Sequence, residues 1–103
     1  MLKDFSKVFV RQLANKNQFV IRYTNDKNIS LSFWAFQSYT SLIALYNPTT
    51  HDLLLNNDKW DYSKTTLKHL KMFINEYTEY RYTSKLDFIK MICNNQDNIK
   101  FFN

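Results

Sequence analysis

The residue types able to carry chemistry in this chain are two His, one Cys, nine Asp and Glu and 14 Lys and Arg, set among nine Phe, seven Tyr and two Trp. Imidazole, carboxylate and thiolate all ligate zinc, so His51, Asp52, His69 and Cys93 supply the raw material for a metal site. Their spacing does not, because no pair forms C-x-x-C or H-x-x-x-H. His51 falls at a turn, His69 is expected on a helix surface, and Cys93 is expected on an apolar face as inert packing. A Cys–His or Ser–His–Asp triad would be an arbitrary selection from scattered residues. The chain also has no glycine. Phosphate-cradling loops, dinucleotide folds and the G-x-S-x-G elbow need glycine where backbone approaches a ligand or takes positive φ, so their standard forms are excluded. No catalytic residue, metal or cofactor is expected.

Binding chemistry is better represented. Lys64, Lys68 and Lys71 follow Ser63 at i, i+4 and i+7, which puts three ammonium groups on one helix face. They suit phosphate neutralisation, with Tyr77, Tyr80, Arg81 and Tyr82 offering stacking or cation–π surfaces; the alternative is a solvated face in a lysine-rich chain. No helix-turn-helix, zinc-finger or RNA-recognition signature accompanies them, and a net charge of +5 is modest for a dedicated DNA binder. Asp61, Ser63, Thr65 and Thr66 at the start of that helix read as caps rather than as an anion site. Trp34, Phe36, Tyr39, Tyr46 and Trp60 are many large rings for one small core. An exposed aromatic patch would dock on a protein or pair two copies of the chain; the equal alternative is a bulky core under the helices. The partner surface expected from these patterns comprises Trp34, Phe36, Tyr39, Trp60, Lys64, Lys68, Lys71, Tyr80 and Arg81.

Elements must position these groups. Leu2, Phe5, Val8 or Phe9, and Leu13 recur at spacings of three to four, which predicts a helix over 2–14, with a strand over Lys7–Arg11 as the competing reading. Residues 18–24, 29–36, 40–46 and 51–56 read as strands joined by short turns, an antiparallel meander. With no glycine, Asn and Asp at 25–28 are expected to take the left-handed turn positions. Ser63 is the natural N-cap of a helix to about Tyr80. Ser84, with Asp87 three residues on, caps another whose buried face is Leu86, Ile89, Ile92 and Cys93. The tail from Asn94 is polar except for Phe101 and Phe102, and is expected to fray unless those rings dock. The expected fold is a single α+β domain over 1–103: an N-terminal helix, a four-stranded antiparallel meander, and two C-terminal helices on one sheet face.

At 103 residues, 45% hydrophobic and 17% aromatic, the chain should fold around one core. No stretch is long and apolar enough to span a membrane, and the first residues, Met1-Leu2-Lys3-Asp4-Phe5, lack a secretory pattern, so a cytoplasmic setting is expected. A lone cysteine agrees with a reducing compartment. Charge is uneven: +4 over residues 1–28, −2 over 29–58 and +3 over 59–103. The sheet region is thus nearly free of charge. Eleven Lys against three Arg, with 12 Asn, fits an AT-rich genome.

Two runs stand out: Ser38-Tyr39-Thr40-Ser41-Leu42-Ile43-Ala44, and Tyr62-Ser63-Lys64-Thr65-Thr66 followed by His69. They resemble a family of small proteins of phages, prophages and plasmids of AT-rich Gram-positive bacteria, with the pattern S-Y-x-T-x-I-A, a short hairpin, then Y-S-x-T-T-x-x-H. Ser41 stands where that family has Thr, and the likeness covers about residues 36–75. The resemblance implies a mobile-element accessory protein in a bacterial cytoplasm, and carries over no catalytic residue. Small phage proteins often act by binding and obstructing a host machine. The first expectation is therefore a non-enzymatic inhibitor of a host defence complex, an anti-CRISPR protein that binds a type II CRISPR effector nuclease. The alternative is a small basic DNA- or RNA-binding protein of phage replication or gene regulation, using Lys64, Lys68, Lys71 and Arg81.

Overall fold

The computed structural model describes residues 7–13 and 16–103. Six strands form one sheet: β1 (Lys7–Gln12), β2 (Gln18–Thr24), β3 (Phe33–Ser38), β4 (Ser41–Asn47), β5 (Asp52–Asn56) and β6 (Ile99–Phe102). Helices α1 (Lys64–Tyr77) and α2 (Lys85–Asn94) lie between β5 and β6 in sequence. The strands stand in chain order across the sheet. The first four junctions are antiparallel and β5 pairs with β6 in parallel. A parallel neighbour needs a long crossover, and the α1–α2 segment supplies it.

This corrects the four-stranded meander in three places. Residues 7–12 are the edge strand β1, not part of a helix. Val8, Phe9 and Val10 are β-branched or aromatic, and the neighbouring β2 offers a full ladder from Lys7↔Thr24 to Gln12↔Phe19. Residues 2–6 and 14 of the expected helix lie outside the described residues. The strand expected over 29–36 starts at Phe33, because Asn28 caps a 3-10 turn at Ile29–Leu31. The tail does not fray: Ile99, buried beside Leu53, and the Phe101-Phe102 pair form β6.

The helices cover one sheet face. Phe36, Ala44, Leu53 and Leu55 meet Leu70, Phe73 and Ile74 of α1 in a core that also takes Phe88 and Met91 of α2. A bulge in the β3–β4 pairing turns both Ile43 and Ala44 toward that core. α2 buries Phe88 and Met91 rather than the expected stripe, and leaves Leu86, Ile89 and Cys93 exposed. The face that turns inward is the one whose Phe88 stacks with Trp60, at 5.1 Å.

By strand alternation the other face carries Val8, Val10, Ile21, Tyr23, Phe33, Leu45 and Leu54, with Tyr23 and Phe33 stacked at 4.6 Å. Neither helix covers it, and Phe33, Leu45 and Leu54 line a shallow concavity there.

Turns dispense with glycine by a route other than the expected one. Positive φ falls on Asn17 (67°), Tyr39 (55°) and His51 (68°) among the described residues, not on 25–28. Asn25, Asn47 and Asn56 instead accept backbone N–H bonds through their side-chain oxygens, two each.

Candidate functional site

Two serines set the helices that build one groove on the helix layer. Ser63 Oγ accepts from Thr66 N–H at 3.0 Å and Ser84 Oγ from Asp87 N–H at 3.2 Å, as expected for N-caps. Asn75 then ties the intervening loop to α1. Its side chain donates to Tyr82 O and accepts from Tyr82 N–H, both at 2.9 Å, while Lys71 Nζ donates to Thr83 O at 2.7 Å. The result is an open groove of about 340 Å³ between α1 and the start of α2.

Its floor is Trp60, Tyr82 and Phe88, and its walls bring Leu67, Lys68, Lys71 and Lys85 together. Asp61 is the one acid in the lining. Phe88 is 4% exposed, with Trp60 stacked on it and Tyr82 tilted against it at 4.8 Å. Burial pushes the Tyr82 phenol well above its ordinary value, so the floor stays neutral. Such a groove accepts an apolar side chain and offers ammonium groups to acids beside it.

The structure gathers Trp60, Lys68 and Lys71 here and separates the other expected residues. Lys64 is exposed at the start of α1 and does not line the groove. Phe36 has no exposed surface and packs on Phe73 at 5.9 Å, so it belongs to the core. Tyr80 is 8% exposed and donates to His51 O at 2.6 Å. Arg81 turns back and donates to the carbonyls of Thr78 and Tyr80. Tyr39 stands half exposed at the tip of the β3–β4 turn. Trp34 packs against Tyr77 at 4.9 Å beneath the Arg22 guanidinium. Tyr82, expected only as a stacking surface beside the lysines, joins the groove. Lys85 and Phe88 were not expected in the site, and their only signal was position after the Ser84 cap.

The metal candidates are dispersed. His51 Nδ1 is 2.6 Å from Glu79 Oε1 at the β4–β5 turn, and Cys93 is exposed on α2. His69 is 1% exposed, against the expected surface position, with Nδ1 2.8 Å from Thr65 O. Among the described residues no three His, Cys, Asp or Glu converge.

The two sequence runs do converge. Ser38 Oγ is 3.0 Å from Thr66 Oγ1 and 3.2 Å from Tyr62 Oη, and Thr66 Oγ1 also accepts from Ser63 Oγ. Buried Gln18, paired with Ser38 across the β2–β3 ladder, lies on the same sheet face. The runs thus pin the first turn of α1 to the β3–β4 hairpin.

A family model matches residues 9–100, from the middle of β1 into β6. The chain belongs to this family, DUF8033, a family of unknown function. The match takes in β2 to β5 and both helices whole, so the groove and the polar network both fall inside the DUF8033 region. No curated protein and no solved structure matches the chain.

Proposed function

We propose that this DUF8033 chain is a non-enzymatic inhibitor from a mobile element that binds a host defence complex, a type II CRISPR effector nuclease being the first candidate. The observation that carries the protein-binding part is the groove: a floor of rings packed on one another, rimmed by Lys68, Lys71 and Lys85. Because Phe88 is nearly fully buried under Trp60 and Tyr82, it offers no open ring face to a base, which favours insertion of a side chain into the groove. The favoured contact is an apolar anchor flanked by acidic residues. The phage context rests on the motif resemblance. No helix among the described residues is long and apolar enough to cross a membrane, and a bacterial cytoplasm is the proposed setting.

The test is binding to a purified type II effector, with and without guide RNA, by an immobilised-partner assay. Lys68→Glu with Lys85→Glu is expected to weaken binding at least about tenfold while the fold is kept. Unchanged binding, or none by the wild-type chain, overturns the reading.

Nucleic-acid binding is the second reading, favoured by Lys64 and Lys68, both exposed on α1. It requires affinity for free single strands that falls steeply with salt and is lost in the Lys64, Lys68 and Lys71 triple alanine variant.

Pairing of two copies fits the open sheet face. Six strands about 4.8 Å apart and roughly six residues long outline about 500 Å² per copy, so a dimer would bury about 1,000 Å², the lower bound for a specific interface. That face carries Asp52 and Lys100 and otherwise few charges, and face-to-face packing turns the basic helices outward.

A further inference from the structure

A second concavity, about 510 Å³, opens beside the C-terminal end of α1 and is separate from the groove above. Phe9 and Arg11 of β1, Arg22 of β2, Trp34 of β3 and Tyr77 of α1 shape it. Among the described residues its lining holds two guanidinium groups and no carboxylate. Arg11 Nη1 donates to Tyr77 Oη at the cleft wall, and a guanidinium carries four further N–H donors. The Arg22 guanidinium carbon lies 4.9 Å from the centre of the Trp34 ring. Arg22 Nη1 is buried and has no hydrogen-bond partner among the described residues. An unmatched N–H on a partly buried cation is unfavourable for folding, and an anion in the cleft would satisfy it.

We propose that this cleft is a binding site for a phosphate ester, held between Arg11 and Arg22. Two planar forks match the oxygens of one phosphate and their two charges match its dianion. Phe9, 63% exposed at the cleft mouth, supplies an apolar surface for the organic part of the ester. Trp34 and Tyr77 form the wall behind the arginines and keep their forks in place.

Trp34 makes the site its own reporter. With Trp60→Phe, Trp34 is the one remaining tryptophan, and its fluorescence reads the cleft alone. Titration uses inorganic phosphate, a nucleoside 5′-monophosphate, and a short oligonucleotide with and without a 5′-phosphate. The monophosphate is expected to give a saturable change, and Arg11→Gln and Arg22→Gln each to weaken it at least about tenfold. Arg22→Met is further expected to raise the thermal midpoint of the free protein while abolishing binding, because it removes the unmatched cation. Tighter binding of the 5′-phosphorylated oligonucleotide than of the mononucleotide identifies a strand end as the source, and equal affinity identifies a free nucleotide. No saturable change up to about 10 mM of any phosphate overturns the proposal. So does undiminished binding in Arg11→Gln, an exposed edge-strand change that reads out even if the Arg22 variants fail to fold. Equal affinity for a dicarboxylate of the same charge overturns it too.

Discussion

Ser38 and Thr66 face each other with their hydroxyl oxygens 3.0 Å apart, and through that contact the β3–β4 hairpin is joined to the first turn of α1. Both residues have 0% exposure, so neither hydroxyl can fall back on water. Losing one leaves the other with less than its complement of bonds. Ser38→Ala is expected to cost about 1–2 kcal/mol, and Thr66→Val a similar amount plus the lost contact to Ser63. Removing both should cost less than the sum, by about 0.5–1 kcal/mol, in a double-mutant cycle followed by urea unfolding. Strict additivity would show that the two hydroxyls do not act as a pair.

Tyr39 holds φ at 55°, a left-handed position that a bulky side chain occupies at a cost of roughly 1–2 kcal/mol. Its amide donates to Asn17 O at 2.6 Å and its carbonyl accepts from Gln37 Nε2 at 2.8 Å, so the surroundings hold it there. Tyr39→Gly should raise stability by about 1 kcal/mol, or several degrees in the thermal midpoint. On the proposed function Tyr39 belongs to the partner surface, and the same variant should then bind the effector more weakly. A stabilised variant with unchanged binding would remove Tyr39 from the partner surface.

Alkaline pH should unfold the chain through its covered phenols. Burial raises the Tyr46, Tyr80 and Tyr82 pKa values above the ordinary value of 10.0. A raised folded-state value means the folded chain holds these protons more tightly than the unfolded one. Their contribution is therefore complete below pH 10 and is lost as pH rises through the folded-state values. Absorbance of phenolate near 295 nm should show a late group of tyrosines that ionises together with loss of near-ultraviolet ellipticity. Tyr82→Phe should shrink that late step while keeping the groove floor.

Val10 is 63% exposed on β1 and belongs to the open sheet face. If two copies pair through that face, Val10→Glu places like charges across the two-fold axis and should return a dimer to monomer in sedimentation. The substitution leaves the helix-side core untouched, so the thermal midpoint of a monomeric chain should move by less than about 0.5 kcal/mol in equivalent stability. A wild-type chain that sediments as a monomer at high concentration rules the pairing out.

The sequence by itself determined the local grammar of this protein. Ser63 and Ser84 announced both helix starts, because a hydroxyl bonding to an amide three residues on is a short-range event. The β2 and β4–β5 segments were equally legible from alternation and turn residues. Lys68 and Lys71 were visible as a shared face, and Trp60 as a candidate anchor. Tertiary structure decided the rest. Val8-Phe9-Val10 satisfies a helical or an extended pattern alike, and it is the free edge of β2 that selects the strand. Ile99–Phe102 is too short to declare itself, and it becomes β6 because the α1–α2 crossover returns it to the exposed edge of β5. The lysines and rings of the groove come from α1, α2 and the loop before each. The cleft at Arg11 and Arg22 draws on three strands and a helix end. Residues as far apart in sequence as Arg11 and Tyr77 meet only when the helix layer closes on the sheet, which is why neither pocket could be read from spacing along the chain.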